Sequence, residues 1–192
     1  MKKQLLIFVL LSVSCFCYAQ KEKTIKSKKL KNDTITWSTD SLLSVDDFMA
    51  KPKKNSAGSA CCLLYIGAKD DGGQLLFFVK AVFLKSKSYI VPNSDYILKH
   101  EQVLYNICEL YARKLRQMIK AKDFTRVHNV QGEIQQMYTK VNGDMVREEN
   151  KYETDTQGGL NSAKQQLWAD NIQKQLNAME KFSSTDINIV HK

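Results

Sequence analysis

Two apolar runs joined by a turn set the shape of the front half of this chain. Ala60 to Ala68 is almost continuously apolar, Lys69-Asp70-Asp71-Gly72-Gly73 follows, and Gln74 to Leu84 is apolar again. An aspartate and glycine cluster between two such runs is a strong turn signal. The spacing predicts a β-hairpin over 60–84 with both faces largely covered. Short strands are expected to join it. Asp33-Thr34-Ile35-Thr36-Trp37 alternates and is rich in β-branched residues, and Ser88-Tyr89-Ile90 precedes Pro92. Between them, Ser44 to Phe48 reads as a turn into a short helix that ends near Pro52, and Lys51–Ser59 reads as a polar loop.

After Pro92 the periodicity changes from two to between three and four. Asn93 or Ser94 can cap a helix running to about Lys120, with Ile97, Leu104, Ile107, Cys108, Tyr111, Leu115 and Met118 forming one stripe. Lys122-Asp123 breaks it. A second helix carries Phe124, Val127, Val130, Ile134, Met137, Tyr138 and Val141 on one face. Glu148 to Gly159 is polar and reads as a loop. A third helix begins near Asn161 or Ser162 and uses Ala163, Leu167, Trp168, Ile172, Leu176 and Met179. Strands first and helices afterwards indicate an α+β fold: a small antiparallel sheet packed with three helices.

The termini are expected to stand apart from this domain, which the reading assigns to 33–182. Residues 1–19 have a basic start at Lys2 and Lys3, an apolar run from Leu5 to Val13, and a small-residue cleavage site at Cys17-Tyr18-Ala19. That is a secretory signal peptide, and it makes the protein exported: periplasmic, cell-envelope or secreted. Cys15 raises the alternative of a lipid anchor, but Ser12 stands where such signals carry leucine. Residues 20–32 read as a basic, disordered lead-in, and 183–192 as a loose tail.

The formal charge of +9 on 192 residues is concentrated in that lead-in. Six lysines lie between Lys21 and Lys31 against Glu22, Lys2 and Lys3 belong to the leader, and the domain that follows is close to neutral. The run can touch an anionic lipid or polysaccharide, and membrane contact is expected at most through it. Aromatic residues are not interleaved with these lysines, so no nucleic-acid partner is expected. Cys61, Cys62 and Cys108 are odd in number and two are adjacent, which suits buried free thiols rather than a disulfide framework or a cysteine zinc site.

One stretch carries a chemical signature. Lys99-His100-Glu101-Gln102-Val103-Leu104-Tyr105-Asn106-Ile107 opens like H-E-x-x-H. In that motif two histidines one helical turn apart reach one zinc ion, and the glutamate activates a bound water. A catalytic zinc needs about three protein ligands and an open position. Here the second histidine is Leu104, which offers no lone pair. His100 also falls on the apolar stripe, where a histidine reads as a core residue hydrogen-bonded to a carbonyl or carboxylate.

Several stretches resemble a bacterial family of predicted secreted zinc-dependent peptidases, the domain of unknown function numbered nine-two-two. The resemblance rests on Ile35-Thr36-Trp37, Val45-Asp46-Asp47-Phe48-Met49-Ala50-Lys51-Pro52, Ser88-Tyr89, and Ser94-Asp95-Tyr96-Ile97-Leu98-Lys99-His100-Glu101-Gln102. It continues through Cys108-Glu109-Leu110-Tyr111-Ala112-Arg113-Lys114 and Tyr152-Glu153-Thr154-Asp155-Thr156-Gln157-Gly158-Gly159-Leu160-Asn161, then Gln165 and Trp168. These matches run in order along the whole chain after residue 19. The resemblance implies a zincin-like scaffold whose helix histidines and late-loop histidine bind zinc.

The departures are concentrated at the metal chemistry, although Val45 and Tyr89 also stand for tryptophan and Ala50 for glycine. Leu104 replaces the second helix histidine, Gly158 the loop histidine, and Asn106 the aspartate after the motif. The resemblance therefore implies a degenerate H-E-x-x-H site, with His100 a vestigial metal ligand, Glu101 a vestigial general base, and Leu104 and Gly158 lost ligand positions. No cofactor is expected on this reading, and the protein is a pseudoenzyme that binds an unknown peptide or protein. An alternative keeps an active zinc metallopeptidase with a substitute carboxylate, Asp155 or Glu153. A further alternative is an envelope structural or adhesion module that uses the Lys21–Lys31 run. Glu109 is accounted for by an ion pair with Arg113 at i+4; the turn near Lys122 would place His128 closer to residue 116 than to His100, and His191 lies in the loose tail.

Overall fold

The structure, a computed structural model, describes residues 33–40, 42–54, 56–71, 74–91 and 95–189. The leader at 1–19, the whole basic lead-in at 20–32, the Gly72-Gly73 turn, the Asn93 and Ser94 cap and His191 lie outside those residues.

The architecture is α+β. Strands β1 (Thr34–Thr36), β2 (Gly58–Ser59), β3 (Cys62–Asp71), β4 (Gln74–Leu84) and β5 (Tyr89–Ile90) precede helices α1 (Asp95–Ala121), α2 (Val130–Thr156) and α3 (Ser162–Ala178), and β6 (Asp186–Ile189) follows. The hairpin forms as its runs predict: β3 and β4 pair antiparallel from Cys62↔Phe83 to Asp71↔Gln74. On the other edge of β4, β1 pairs at Ile35↔Phe83 and β6 at Phe77↔Ile187. The short strands β2 and β5 make a separate antiparallel pair.

Only one face of the sheet is sealed throughout. Leu64 and Ile66 on β3, with Phe77, Val79, Ala81 and Phe83 on β4, are buried against α1. On the opposite face Tyr65, Phe78 and Lys80 remain half-buried, so the expectation of two covered faces holds only in part. The apolar runs are continuous because alternate residues serve different environments, with Tyr65 and Phe78 stacked at 5.9 Å on the outer side.

Helix α1 is the centre of the molecule. It packs against the sheet on one side and against α2 and α3 on the other, so its buried surface runs well beyond a single stripe. Ile107, Cys108, Leu110, Ala112 and Leu115 are completely buried. Each large apolar side chain so placed contributes about 1.5–3 kcal/mol relative to exposure.

Three expectations need correction. Helix α2 begins at Val130, after a link containing buried Phe124 and half-buried Val127, and it continues through Thr156. Glu148 to Thr156 is therefore helix, not loop: Met145, Tyr152 and Thr156 supply a buried line while the polar residues face outward. Helix α3 buries Gln165, Trp168, Ile172 and Leu176, whereas Ala163 and Leu167 are exposed. The tail from Ser183 is not loose within the described residues. Asp186-Ile187-Asn188-Ile189 alternates exposed and buried and completes the sheet beside β4. Buried Arg116 holds the approach to it, donating to Phe182 O at 2.8 Å and Val79 O at 3.0 Å.

Candidate functional site

His100 and Glu101 are adjacent on α1 and both are buried, but they face different neighbours. His100 points to the last turns of α2. Its Nε2 lies 3.2 Å from Glu153 Oε1, and its ring stacks on Tyr152 with centroids 4.6 Å apart and planes 19° apart. The Tyr152 hydroxyl donates to the His100 carbonyl at 3.2 Å. Burial first, and then the negative charges of Glu153 and Glu101, push the Tyr152 phenol well up.

The chain reaches this position by an unusual reversal. Gln157, Gly158 and Gly159 all have positive φ, at 55°, 64° and 89°. Gly158 N–H donates to Glu153 O at 2.9 Å, and Asn161 N–H to Thr156 O at 2.8 Å. Consecutive left-handed residues suit glycine. They turn the chain so that the backbone of Gly159 lies on the imidazole. A Cβ on Gly159 would stand 3.1 Å from His100 Cγ and 3.2 Å from Nδ1.

Glu101 is turned toward β2. One carboxylate oxygen accepts the Ala60 N–H at 2.6 Å, and the backbone of Gly58 packs so closely that a Cβ there would approach the other oxygen to 2.7 Å. Leu104, one turn beyond His100, belongs to the apolar core. The residues singled out by sequence thus separate into two settings: His100 with Glu153 and Gly159, and Glu101 with β2.

Of the two carboxylates near the late turn, Glu153 meets His100, whereas Asp155 accepts the Trp168 indole N–H at 3.1 Å. Gly159, rather than Gly158, abuts the imidazole. A Cβ on Gly158 would lie 4.0 Å from Glu153 Oε2 instead. His128 is exposed in the link before α2. Cys108 is completely buried, and burial first, then Glu149 and Glu109, push its thiol well up, which removes it as a nucleophile. Cys61 and Cys62 are free thiols, the first buried and the second half-buried.

The resemblance implies a catalytic zinc. Such an ion needs about three protein ligands. Among the described residues no group of three or more histidine, cysteine, aspartate or glutamate side chains is placed to hold an ion. His100 Nδ1 is buried, and a Cβ on Gly159 would stand 3.2 Å from it.

Tyr152 and Gly159 were not recognised from sequence as partners of His100. The polarity of the Tyr152-Glu153-Thr154-Asp155-Thr156 segment reads as loop and hides its helical continuation. Tyr96, one turn before His100, is a further member, since Gln165 on α3 donates to its carbonyl at 3.3 Å and ties α3 to this end of α1. No family model, curated protein or solved structure matches this chain.

Proposed function

We propose that the protein is a peptidase-like scaffold that binds a peptide or protein at the cell envelope without cleaving it. One observation carries the reading: His100 and Glu101, the remnant of the motif, are each engaged by protein groups. His100 is held by Glu153 and Tyr152, and Glu101 by the Ala60 amide. A general base must be free to take a proton from a water, and a carboxylate buried on a backbone N–H is poorly suited to that. Leu104 fills the next turn with an apolar side chain. The envelope location rests on the leader at 1–19.

The test combines metal analysis with peptide hydrolysis. Protein purified from zinc-supplemented cells is expected to carry no stoichiometric zinc, and its activity on a mixed peptide library is expected to stay at background with or without chelator. Stoichiometric zinc that disappears on His100→Ala would overturn the reading. The rival, an active metallopeptidase with an altered ligand set, is narrowed to Glu153 as the substitute carboxylate, because Asp155 is engaged with Trp168. Its signature would be chelator-sensitive hydrolysis abolished by Glu101→Gln.

A further inference from the structure

Strand β3 stands at the edge of the sheet. Among the described residues it pairs with β4 and with no other strand, whereas the far side of β4 is covered by β1 and β6. The ladder fixes which of its backbone groups turn outward. Val79 N–H donates to Thr185 O at 3.0 Å, and Ala81 O accepts the Trp37 N–H at 3.0 Å, so these two β4 residues direct their backbone groups away from β3. In an antiparallel ladder the residues opposite them do the same on their own side. Those residues are Ile66 and Leu64. Leu84 N–H, which donates to Cys61 O at 2.9 Å, sets the same alternation at the start of the strand. The N–H and C=O of Leu64, Ile66 and Ala68 therefore face the open edge, and no backbone group of the described residues bonds them there.

Protected sheet edges carry a charge, a proline or a bulge. Cys62-Leu63-Leu64-Tyr65-Ile66-Gly67-Ala68 has none of these: it is uncharged and proline-free, its register against β4 is unbroken, and Lys69 is the first charge. The outer face at this edge is aromatic. Tyr65 is half-buried and stacks on Phe78 at 5.9 Å. The Phe78 ring fills the place of the missing side chain at Gly67, which brings it over β3.

We propose that β3 is a self-association surface, on which a second copy of this chain pairs its own β3 antiparallel about a two-fold axis at Tyr65. The uncharged span argues for that occupant. Tyr65 is its midpoint, so the two-fold sets Leu64 opposite Ile66, Leu63 opposite Gly67 and Cys62 opposite Ala68 of the second copy, and leaves each Lys69 beyond the paired span. The alternation fits the same axis. Leu64 and Ile66, whose backbone groups face outward, meet as a hydrogen-bonded pair. Tyr65 meets Tyr65 of the second copy at a closely spaced, non-hydrogen-bonded position, where aromatic pairs are favourable. The Tyr65–Phe78 stack then continues across the axis, and the interface closes on itself as a dimer. An unrelated extended peptide would use the same backbone groups, but nothing would match it to the midpoint of this span. The surface is separate from the His100 site and does not rest on the proposed function.

The test is sedimentation equilibrium of the chain from Gln20 onward across the micromolar range, with hydrogen exchange read at single amides. One strand pair is a small interface of the weak class, so a reversible monomer–dimer equilibrium is expected. The Leu64 and Ile66 amides gain protection as the dimer forms, while those of Leu63 and Tyr65, turned to β4, are protected throughout. Tyr65→Lys and Tyr65→Asp each raise the dissociation constant by about tenfold or more, because like charges then stand opposite one another. An equimolar mixture of the two variants associates about as tightly as wild type. Ala68→Pro removes an outward N–H that the hairpin does not use and weakens association. All three variants keep the wild-type far-UV circular dichroism. The proposal is overturned if wild type stays monomeric throughout, or if the mixture associates no more tightly than either variant alone. It is equally overturned if association runs past the dimer to open fibres, or if the Leu64 and Ile66 amides are already protected in the monomer, which would make a segment of the same chain the occupant.

Discussion

Glu109 and Arg116, two turns apart on α1, are joined by a two-pronged hydrogen bond of 2.9 and 3.1 Å with both side chains almost fully buried. Arg113 donates to the same carboxylate at 2.9 Å, as the i+4 spacing implied, and also to Leu176 O at 2.8 Å. Its guanidinium lies 5.3 Å over Trp37. One carboxylate therefore neutralises two buried cations that tie α1 to β1, β4, α3 and the approach to β6.

Removing that carboxylate takes the counter-charge from buried Arg116 and leaves Arg113 with the largely exposed Glu180 at 3.0 Å. Glu109→Gln is expected to cost about 3–5 kcal/mol, measured as a shift in urea midpoint followed by far-UV circular dichroism. The combined Glu109→Gln and Arg116→Met variant should lose less than the sum of the single changes, because the partners act as a unit. Simple additivity would contradict the network.

The left-handed reversal after α2 makes opposite predictions for neighbouring positions. Gly159→Ala places a methyl at positive φ and against the imidazole, and is expected to destabilise by about 1–3 kcal/mol. Gln157→Gly relieves a non-glycine residue at φ 55° and is expected to stabilise by roughly 1 kcal/mol. Thermal melts of both variants check the pair, and the same sign for both would count against the geometry.

Leu104→His combined with Gly158→His tests the resemblance directly. A histidine at 104 stands one helical turn from His100, and one at 158 points toward Glu153. The double variant is expected to bind zinc at one ion per chain in calorimetry, while wild type and each single variant bind weakly. Absence of a gain would show that the backbone lacks the zincin-like arrangement.

Alkaline pH is expected to unfold the protein earlier than loss of lysine charge would. Burial first raises the phenols of Tyr105 and Tyr152 strongly, and that of Tyr111 to about 12, the latter also under the influence of Glu148 and Asp144. In the unfolded chain a tyrosine ionises near pH 10. Between the two values the unfolded state binds fewer protons than the folded one, so stability falls as pH rises from about 10. Urea midpoints across this range should decline, and Tyr111→Phe should flatten the slope.

Much of the fold was readable because hydrophobic spacing was clear where burial is one-sided or complete. The hairpin and α1 belong to this group. The second half of α2 was hidden because only Met145, Tyr152 and Thr156 turn inward there, too sparse a signal among glutamates, lysine and asparagine. Strand β6 did carry an alternation, Asp186-Ile187-Asn188-Ile189, but four residues with a partner far back in the chain give little local signal. At the candidate site, His100 on a buried face with a carboxylate partner was foreseeable. Its sandwich between the Tyr152 ring and the Gly159 backbone was not, since both follow from the helical continuation of α2.

Phe77 and Ile187 face each other across β4 and β6, with all three helices between them in the chain. The β3–β4 hairpin can close early through local contacts, whereas the part of the second edge of β4 that β6 covers, from Leu75 to Phe78, must wait until α1, α2 and α3 have docked. Until then, the backbone amides and carbonyls beside Phe77 and Phe78 are open to a strand from another molecule. The order of assembly thus becomes a hazard of its own: crowding during synthesis would select for whatever keeps that edge shielded until β6 arrives.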